Sequence, residues 1–231
     1  MPQSLSLALP RNQVVLGDCC SAMQRWPDAC VDFVLTDPPY LVNYQDRTGR
    51  SLAGDRDGSW LRPAFAEAFR LLRPDRLCVS FYGWSHTADF LDAWRRAGFR
   101  VVGHIAFPKR YTSTVRLMRY QHENAYLLAK GRPQAPAWPI GDVIDWVYTG
   151  NKLHPTQKPL AVLTPLIASF CPAGGVVLDP FTGSGSTLVA AHSIGRCYLG
   201  VEIDAAVHAV AQRRLDAYTR AIARSGLVTQ A

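Results

Sequence analysis

The chain has 231 residues, which is enough for one α/β domain with a full hydrophobic core. Hydrophobic residues make up 48% of it and charged residues 19%, a mixture that excludes an intrinsically disordered protein. The net charge of +7 favours a polyanionic partner such as a nucleic acid, because cationic side chains gain by neutralising phosphates.

The cysteines and the apolar runs indicate where such a protein works. None of the six cysteines forms a C-x-x-C pair, so neither a metal site nor a redox motif is indicated. No basic segment followed by an apolar one opens the chain, and no apolar run reaches the length of a membrane span. We therefore expect a cytoplasmic protein with reduced cysteines and no required metal.

Strand-like and helix-like stretches alternate along the chain, which predicts a twisted, mostly parallel sheet with helices on both faces. Proline and glycine mark several of the boundaries, such as Pro63 in the first turn of a helix and Gly98 at the end of another. We predict strands over 14–16, 31–35, 77–82, 101–107, 124–129, 176–178 and 198–201, and helices over 22–26, 63–72, 87–97, 159–170, 186–193 and 205–224.

The first candidate functional motif is Asp37-Pro38-Pro39-Tyr40, directly after the strand predicted at 31–35. Two prolines stop the strand and hold the backbone extended, which fixes an acid and an aromatic ring at its carboxyl end. Ligands bind at that edge of open α/β sheets. A rigid hydrogen-bond acceptor beside a flat apolar face suits a planar base that carries an exocyclic amino group.

The second motif is a glycine-rich loop, Asp179-Pro180-Phe181-Thr182-Gly183-Ser184-Gly185, between a predicted strand and a helix. Its glycines allow the backbone to approach a ligand, and Glu202 ends the next strand, where an acid suits the hydroxyls of a ribose. The loop has neither the dinucleotide G-x-G-x-x-G pattern nor the lysine of a P-loop. It therefore favours a cofactor that contains adenosine but no phosphates.

Together these motifs resemble the S-adenosylmethionine-dependent DNA amino-methyltransferases, the adenine-N6 and cytosine-N4 family. The segment His154-Pro155-Thr156-Gln157-Lys158-Pro159 is similar to the one that precedes the family's cofactor strand, and Gly17-Asp18-Cys19 and His122-Glu123 also match. The resemblance covers nearly the whole chain. It implies a Rossmann-like, doubly wound α/β fold of the class I methyltransferase type, circularly permuted as in the beta class, because the catalytic motif precedes the cofactor loop.

The resemblance also implies roles for individual residues. Asp37 and the Pro38 carbonyl would accept hydrogen bonds from the target amine, with Pro39 in the same turn, and Tyr40 would stack on the flipped base. Glu202 would bind the cofactor ribose and Asp18 its adenine. The remaining cofactor-binding residues implied by the resemblance are His154, Thr156, Lys158, Asp179, Pro180, Phe181, Thr182, Gly183, Ser184 and Gly185.

The choice of base depends largely on Asp37. Aspartate at the first motif position is usual for adenine-N6 enzymes of the family, and serine for cytosine-N4 enzymes. We therefore predict a site-specific adenine-N6 methyltransferase acting on duplex DNA, either an orphan methylase or part of a restriction-modification system. The alternatives are a cytosine-N4 DNA methyltransferase, an RNA or protein methyltransferase, and a non-catalytic DNA-binding module.

Two segments are candidate DNA-recognition insertions in a single methyltransferase domain spanning 1–231. One is a polar, glycine-containing loop over 41–59, which we expect to be mobile, and the other is a basic stretch over 108–122. A homodimer would enlarge the DNA-binding surface of so short a chain. The candidate DNA-binding residues, suited to phosphates or guanine edges, are Lys109, Arg110, Arg116 and Arg119.

Overall fold

The computed structural model describes residues 9–45, 49, 51–147 and 158–225. Short 3₁₀ turns at Gly58–Trp60 and Trp84–His86 precede two of the helices. The strands and helices are β1 (Gln13–Leu16), α1 (Cys19–Met23), β2 (Val31–Thr36), α2 (Leu61–Leu71), β3 (Leu72–Phe81), α3 (Thr87–Ala97), β4 (Arg100–Pro108), β5 (Thr114–Val115), β6 (Arg119–Tyr120), β7 (His122–Lys130), α4 (Leu160–Phe170), β8 (Val176–Asp179), α5 (Ser186–Ser193), β9 (Cys197–Glu202) and α6 (Ala205–Ser225).

Seven strands form one sheet in the order β1-β9-β8-β2-β3-β7-β4. The first five are parallel to one another, and β7 runs antiparallel to both β3 and β4. This confirms the predicted doubly wound α/β fold with a mostly parallel sheet. The antiparallel β7 was not predicted, because the apolar pattern of a strand carries no information about its direction.

The strand order reverses between β8 and β2. From β8 the chain continues through α5 to β9 on one side, and from β2 it continues through α2 to β3 on the other. Their adjacent carboxyl ends leave a crevice that no crossover helix covers, which is where open α/β sheets bind ligands. The topology therefore brings Asp37 and Asp179 to the same edge, although 141 other residues separate them in the sequence.

The core consists of two apolar layers, one on each face of the sheet. Met23, Phe65 and Trp94 from α1, α2 and α3 are buried on one face, whereas α4, α5 and α6 cover the other. Alternate residues of β2 supply the two layers, with Val34 in the first and Phe33 in the second. Because β2 is buried along its whole length, the turn that follows it starts from a rigid position.

Two elements differ most from the sequence prediction. Helix α1 starts at Cys19 rather than at residue 22, because the Asp18 carboxylate accepts the N–H of Ser21 and so caps the helix directly after β1. Strand β3 starts at Leu72, immediately after α2, so that it is longer than the predicted 77–82. The first shift comes from a local cap and the second from the pairing of Leu72 with Val31 of β2, and apolar periodicity reveals neither.

The two predicted insertions have ordered parts. In the first, the buried Asp55 carboxylate accepts the backbone N–H groups of Leu41, Val42 and Tyr44, which draws the described part of 41–59 together. In the second, β5 and β6 form a small antiparallel hairpin. The described residues contain no helix that is long and apolar enough to cross a membrane.

Candidate functional site

A cleft of about 1160 Å³ opens at the carboxyl ends of β1, β9, β8 and β2. The Asp37–Tyr40 turn lies on one side of it, and the glycine-rich loop that starts at Asp179 lies on the other. Its volume exceeds that of an ordinary small-molecule pocket, which spans roughly 300–1,000 Å³. The cleft can therefore accept a nucleoside-sized cofactor and a second planar group side by side.

On the first side of the cleft, Asp37 is held by two neighbours. The hydroxyl of Tyr40 donates to its Oδ1 at 2.9 Å, and the Lys158 ammonium donates to its Oδ2 at 2.5 Å. Lys158 also lies 3.3 Å from the Tyr40 hydroxyl, and its side chain is 9% exposed. Asp37 thus has a fixed direction, set by one charged and one neutral donor.

A second ion pair extends this network. The Lys109 ammonium contacts Glu123, whose other carboxylate oxygen lies 3.5 Å from the Tyr40 hydroxyl. Burial, followed by the charges of Asp37 and Glu123, raises the pKa of Tyr40 well above its ordinary value. Tyr40 is therefore a neutral hydrogen-bond donor at physiological pH.

Aromatic rings surround both ammonium groups. Lys158 Nζ lies 4.9 Å from the ring centre of Phe81, 5.4 Å from that of Tyr40 and 5.9 Å from that of Trp146. Lys109 Nζ lies 5.2 Å from the Trp146 ring. Cation–π attraction of this kind favours a cation inside an otherwise apolar wall.

On the second side of the cleft, Glu202 organises the glycine-rich loop. Its two carboxylate oxygens accept the N–H groups of Gly183 and Asp204, each at 2.8 Å, and burial raises its pKa. Gly183 has a φ of +54°, which favours glycine at this turn. A carboxylate has about four acceptor positions, so Glu202 keeps acceptor capacity for a hydroxyl group of a ligand.

Asp179 lies at the centre of the cleft and is buried. Burial raises its pKa to about 7, against the opposing hydrogen bonds from Thr187 and from the N–H of Phe181. The negative charge of Asp37 raises it further. The two aspartates at the switch point thus have different environments, and among the described residues only Asp37 has an ammonium partner.

Two braces of the loop were not predicted from the sequence. Arg214 of α6 donates to the carbonyl of Ser184 at 2.5 Å and to its hydroxyl at 3.0 Å. Trp60 packs edge-on against Phe181, with ring centres 4.8 Å apart, and its indole N–H donates to the carbonyl of Gly54. No local motif in the sequence predicts these long-range contacts. Trp60, a tryptophan next to a polar segment, did however indicate a packing role there.

Most of the predicted site residues line the cleft, and a few lie elsewhere. Gly185 begins α5, Arg110, Arg116 and Arg119 lie exposed outside the cleft, and His154 and Thr156 lie outside the described residues. Lys109, predicted on a DNA-binding surface, is instead buried in the cleft beside Glu123. The other predicted site residues all line the cleft: Asp18, Asp37, Pro38, Pro39, Tyr40, Lys158, Asp179, Pro180, Phe181, Thr182, Gly183, Ser184 and Glu202.

Comparison with known proteins agrees with this geometry. The chain matches the N6_N4_Mtase family model, a DNA methylase family, over residues 31–142 and 136–213. It is 51% identical over 211 residues to the Escherichia coli (strain K12) protein named "Putative methylase YubD", which covers 91% of this chain and 93% of that protein.

Two solved structures share the fold. M1.HpyAVI in complex with SAM has a TM-score of 0.71 at 23% identity, over 88% of this chain and 98% of that one. The cytosine-N4-specific PvuII DNA methyltransferase has a TM-score of 0.73 at 15% identity, over 94% of this chain and 93% of that one. The chain therefore belongs to the N6/N4 DNA methylase family, the S-adenosylmethionine-dependent family that its sequence motifs resemble.

Proposed function

We propose that this protein transfers the methyl group of S-adenosylmethionine to the N6 amino group of adenine in duplex DNA, after flipping the base out of the helix. The observation that carries the proposal is that one cleft holds both the Asp37–Tyr40 turn and the Asp179–Glu202 side. The turn has the chemistry to bind the amine that accepts the methyl group, and the other side has the chemistry to bind a nucleoside.

The residues of the acceptor side fit an exocyclic amine. Its lone pair is delocalised into the ring, so the amine is a weak nucleophile. Hydrogen bonds from its two protons to the Asp37 carboxylate and the Pro38 carbonyl move the nitrogen towards sp³ geometry. Tyr40 provides a flat surface for the base. Positioning and electrostatics supply this catalysis, without a covalent bond to the enzyme.

The residues of the other side fit the methyl donor. Glu202 has acceptor capacity for a ribose hydroxyl, and the loop approaches closely at Gly183. We assign the adenine end to Asp18 and the methionine end to the neighbourhood of Asp179. When bound, the cofactor supplies an electrophilic methyl group on a sulfonium ion. Asp179, once ionised, places a negative charge near that positive sulfur.

The partner in this proposal is double-stranded DNA, with the chain as a single domain that forms a homodimer. Arg116 and Arg119 are exposed and can meet phosphates, as can the exposed Arg110, which lies 3.9 Å from Asp145, whereas Lys109 is buried in the cleft. The segments 41–59 and 108–122 would both contact DNA. Light scattering with and without DNA tests the dimer, and a monomeric mass under both conditions would contradict it.

Mass spectrometry of nucleosides tests the reaction. The purified protein is incubated with unmethylated duplex DNA and deuterium-labelled S-adenosylmethionine, and the DNA is then digested. We expect labelled N6-methyladenine from the wild type and none from Asp37→Ala, whose cofactor affinity should survive. Loss of cofactor affinity in Asp37→Ala would make that residue structural instead.

The second candidate is cytosine-N4 methylation, because the fold matches that of a cytosine-N4-specific enzyme. N4-methylcytosine without N6-methyladenine would establish it. Label in RNA but not in duplex DNA would show an RNA methyltransferase. Absence of label, together with no cofactor binding in calorimetry, would show a non-catalytic DNA-binding module.

A further inference from the structure

The β5–β6 hairpin rises directly from the wall of the cleft. Tyr111, Thr112 and Ser113 before it and Glu123 after it all line the cleft. The hairpin continues the ladder of β4 and β7, since the N–H of Lys109 donates to the carbonyl of Gln121 at 2.7 Å. Its position is thus fixed relative to the site where the target base would enter.

Contacts at the base of the hairpin hold it in place. The backbone N–H and the hydroxyl of Ser113 both donate to the carbonyl of Tyr120, at 2.9 and 3.0 Å. The Tyr120 ring stacks on Trp84, with ring centres 5.8 Å apart and planes 20° apart. Trp84 follows β3 in the main sheet, so the stack joins the hairpin to the body of the protein.

The tip of the hairpin, residues 116–118, exposes apolar side chains that the fold does not use. Leu117 is 99% exposed and Met118 64% exposed, and Val115 beside them is 69% exposed. Exposed apolar groups are costly to leave in water, and a contiguous group of them marks an interaction surface. The N–H of Arg116 donates to the carbonyl of Met118 at 3.1 Å, which closes a tight turn.

Charge indicates the chemistry of the partner. Arg116 lies in the tip and Arg119 directly follows it, both exposed, and Arg110 lies near the start of the hairpin. These cations suit the phosphates on either side of a DNA groove. A two-stranded ribbon such as β5–β6 fits the major groove of DNA.

From this arrangement we propose that the hairpin tip is a base-flipping wedge, in which Leu117 enters the base stack and fills the space that the target base leaves. The proposal rests on the proposed function, since it names how the duplex delivers its base to the cleft. Apolar side chains inserted at a base step offset the loss of stacking and hold the duplex open. Arg116 and Arg119 would hold the neighbouring phosphates while Leu117 is inserted.

A comparison of single- and double-stranded substrates tests the wedge, because only a stacked base has to be extruded. The substrate is a circular phage genome, prepared from a host without DNA methylation, in its single-stranded and its double-stranded form. Both substrates therefore have the same sequence. We expect Leu117→Ala to lower the methylation rate on the duplex by about tenfold or more, and by less than about threefold on the single strand. Leu117→Met should restore most of the duplex rate.

Val102→Ala is the matched control, since Val102 is an exposed aliphatic residue on β4, outside the cleft lining. It should change neither rate. The wedge would be overturned if Leu117→Ala lowered the methylation rate equally on the two forms of DNA, or lowered it on neither. A wild-type protein that methylates neither form would instead contradict the proposed function.

Discussion

Lys158 is the residue whose role the structure alters most. The sequence resemblance placed it among the cofactor-binding residues, yet its ammonium contacts Asp37 and Tyr40, on the proposed acceptor side. A cation at 2.5 Å fixes the direction of the Asp37 carboxylate as well as neutralising it. Its effect on catalysis would then come through Asp37, as a positioning residue.

Substitution of Lys158 distinguishes the two roles. Lys158→Met keeps the length of the side chain and removes the charge. A hydrogen bond to a charged group is worth about 1.5–3 kcal/mol, so we expect turnover to fall about ten- to hundredfold. Cofactor affinity, measured by calorimetry, should change by less than about threefold, because Lys158 contacts Asp37 and Tyr40 on the acceptor side. Lys158→Arg should retain part of the turnover. A fall in cofactor affinity as large as the fall in turnover would support the cofactor role.

The raised pKa of Asp179 gives a second prediction at this scale. Because its pKa is about 7 in the folded protein and 3.8 in the ordinary state, folding favours its protonated form. Its contribution to stability is therefore present below pH 3.8 and is lost as the pH rises through about 7. At pH 8 the buried charge destabilises the protein without cofactor.

Asp179→Asn removes this charge but keeps an acceptor for the N–H of Phe181. We expect its melting temperature at pH 8 to exceed that of the wild type by at least about 3 °C, since 1 kcal/mol corresponds to about 2–4 °C in a chain of this size. The difference should shrink as the pH falls towards 4. Parallel pH dependences in thermal melts of the two proteins would contradict the assignment.

At the scale of secondary structure, the sequence predicts best where a boundary has local chemistry. Helices α3 and α5 match the predicted 87–97 and 186–193 residue for residue, and Gly98 ends the former in a left-handed conformation. The motif at Asp37 and the loop at Gly183 were likewise found from local composition. Strand direction, the β5–β6 hairpin and the buried position of Lys109 depend on distant partners, which a single sequence does not show.

The Asp37–Tyr40 turn depends on its neighbour Gly83, which follows β3. A methyl group on Gly83 would collide with the Tyr40 carbonyl oxygen and lie 2.9 Å from the Tyr40 Cβ. We expect Gly83→Ala to displace the turn and to lower turnover by about tenfold or more, because small displacements of catalytic groups are costly. Cofactor affinity should change little in calorimetry.

Gly141→Ala is the control for this experiment, since the nearest atom to its added methyl group would lie 3.8 Å away. It should leave turnover unchanged. Normal turnover of Gly83→Ala would show that the turn can move without loss of activity, and the rigidity assigned to the two prolines would then be wrong.

At the scale of the whole molecule, the net charge of +7 predicts DNA binding that weakens steeply with salt. Each phosphate contact adds close to 1 to the slope of log affinity against log salt. Replacing Arg110, Arg116 and Arg119 together by Gln should therefore reduce the slope by about 3, measured by fluorescence anisotropy with a labelled duplex.

Arg96→Gln is the corresponding control, because Arg96 lies on α3 and is paired with Asp92. It removes one positive charge without touching the hairpin, so it should reduce the slope by much less than 1. An unchanged slope in the triple variant would place the DNA on another face of the protein.

The contact between Lys158 and Asp37 also limits which bases the cleft can hold. That contact fixes the direction of the Asp37 carboxylate, so an entering base must donate an N–H to the acceptor positions that remain on it. Adenine and cytosine carry an amino group that can do so. Thymine would instead turn a carbonyl oxygen towards the Asp37 carboxylate, and two acceptors facing each other repel. The oriented Asp37 carboxylate therefore acts as a chemical filter, which disfavours thymine before methyl transfer begins.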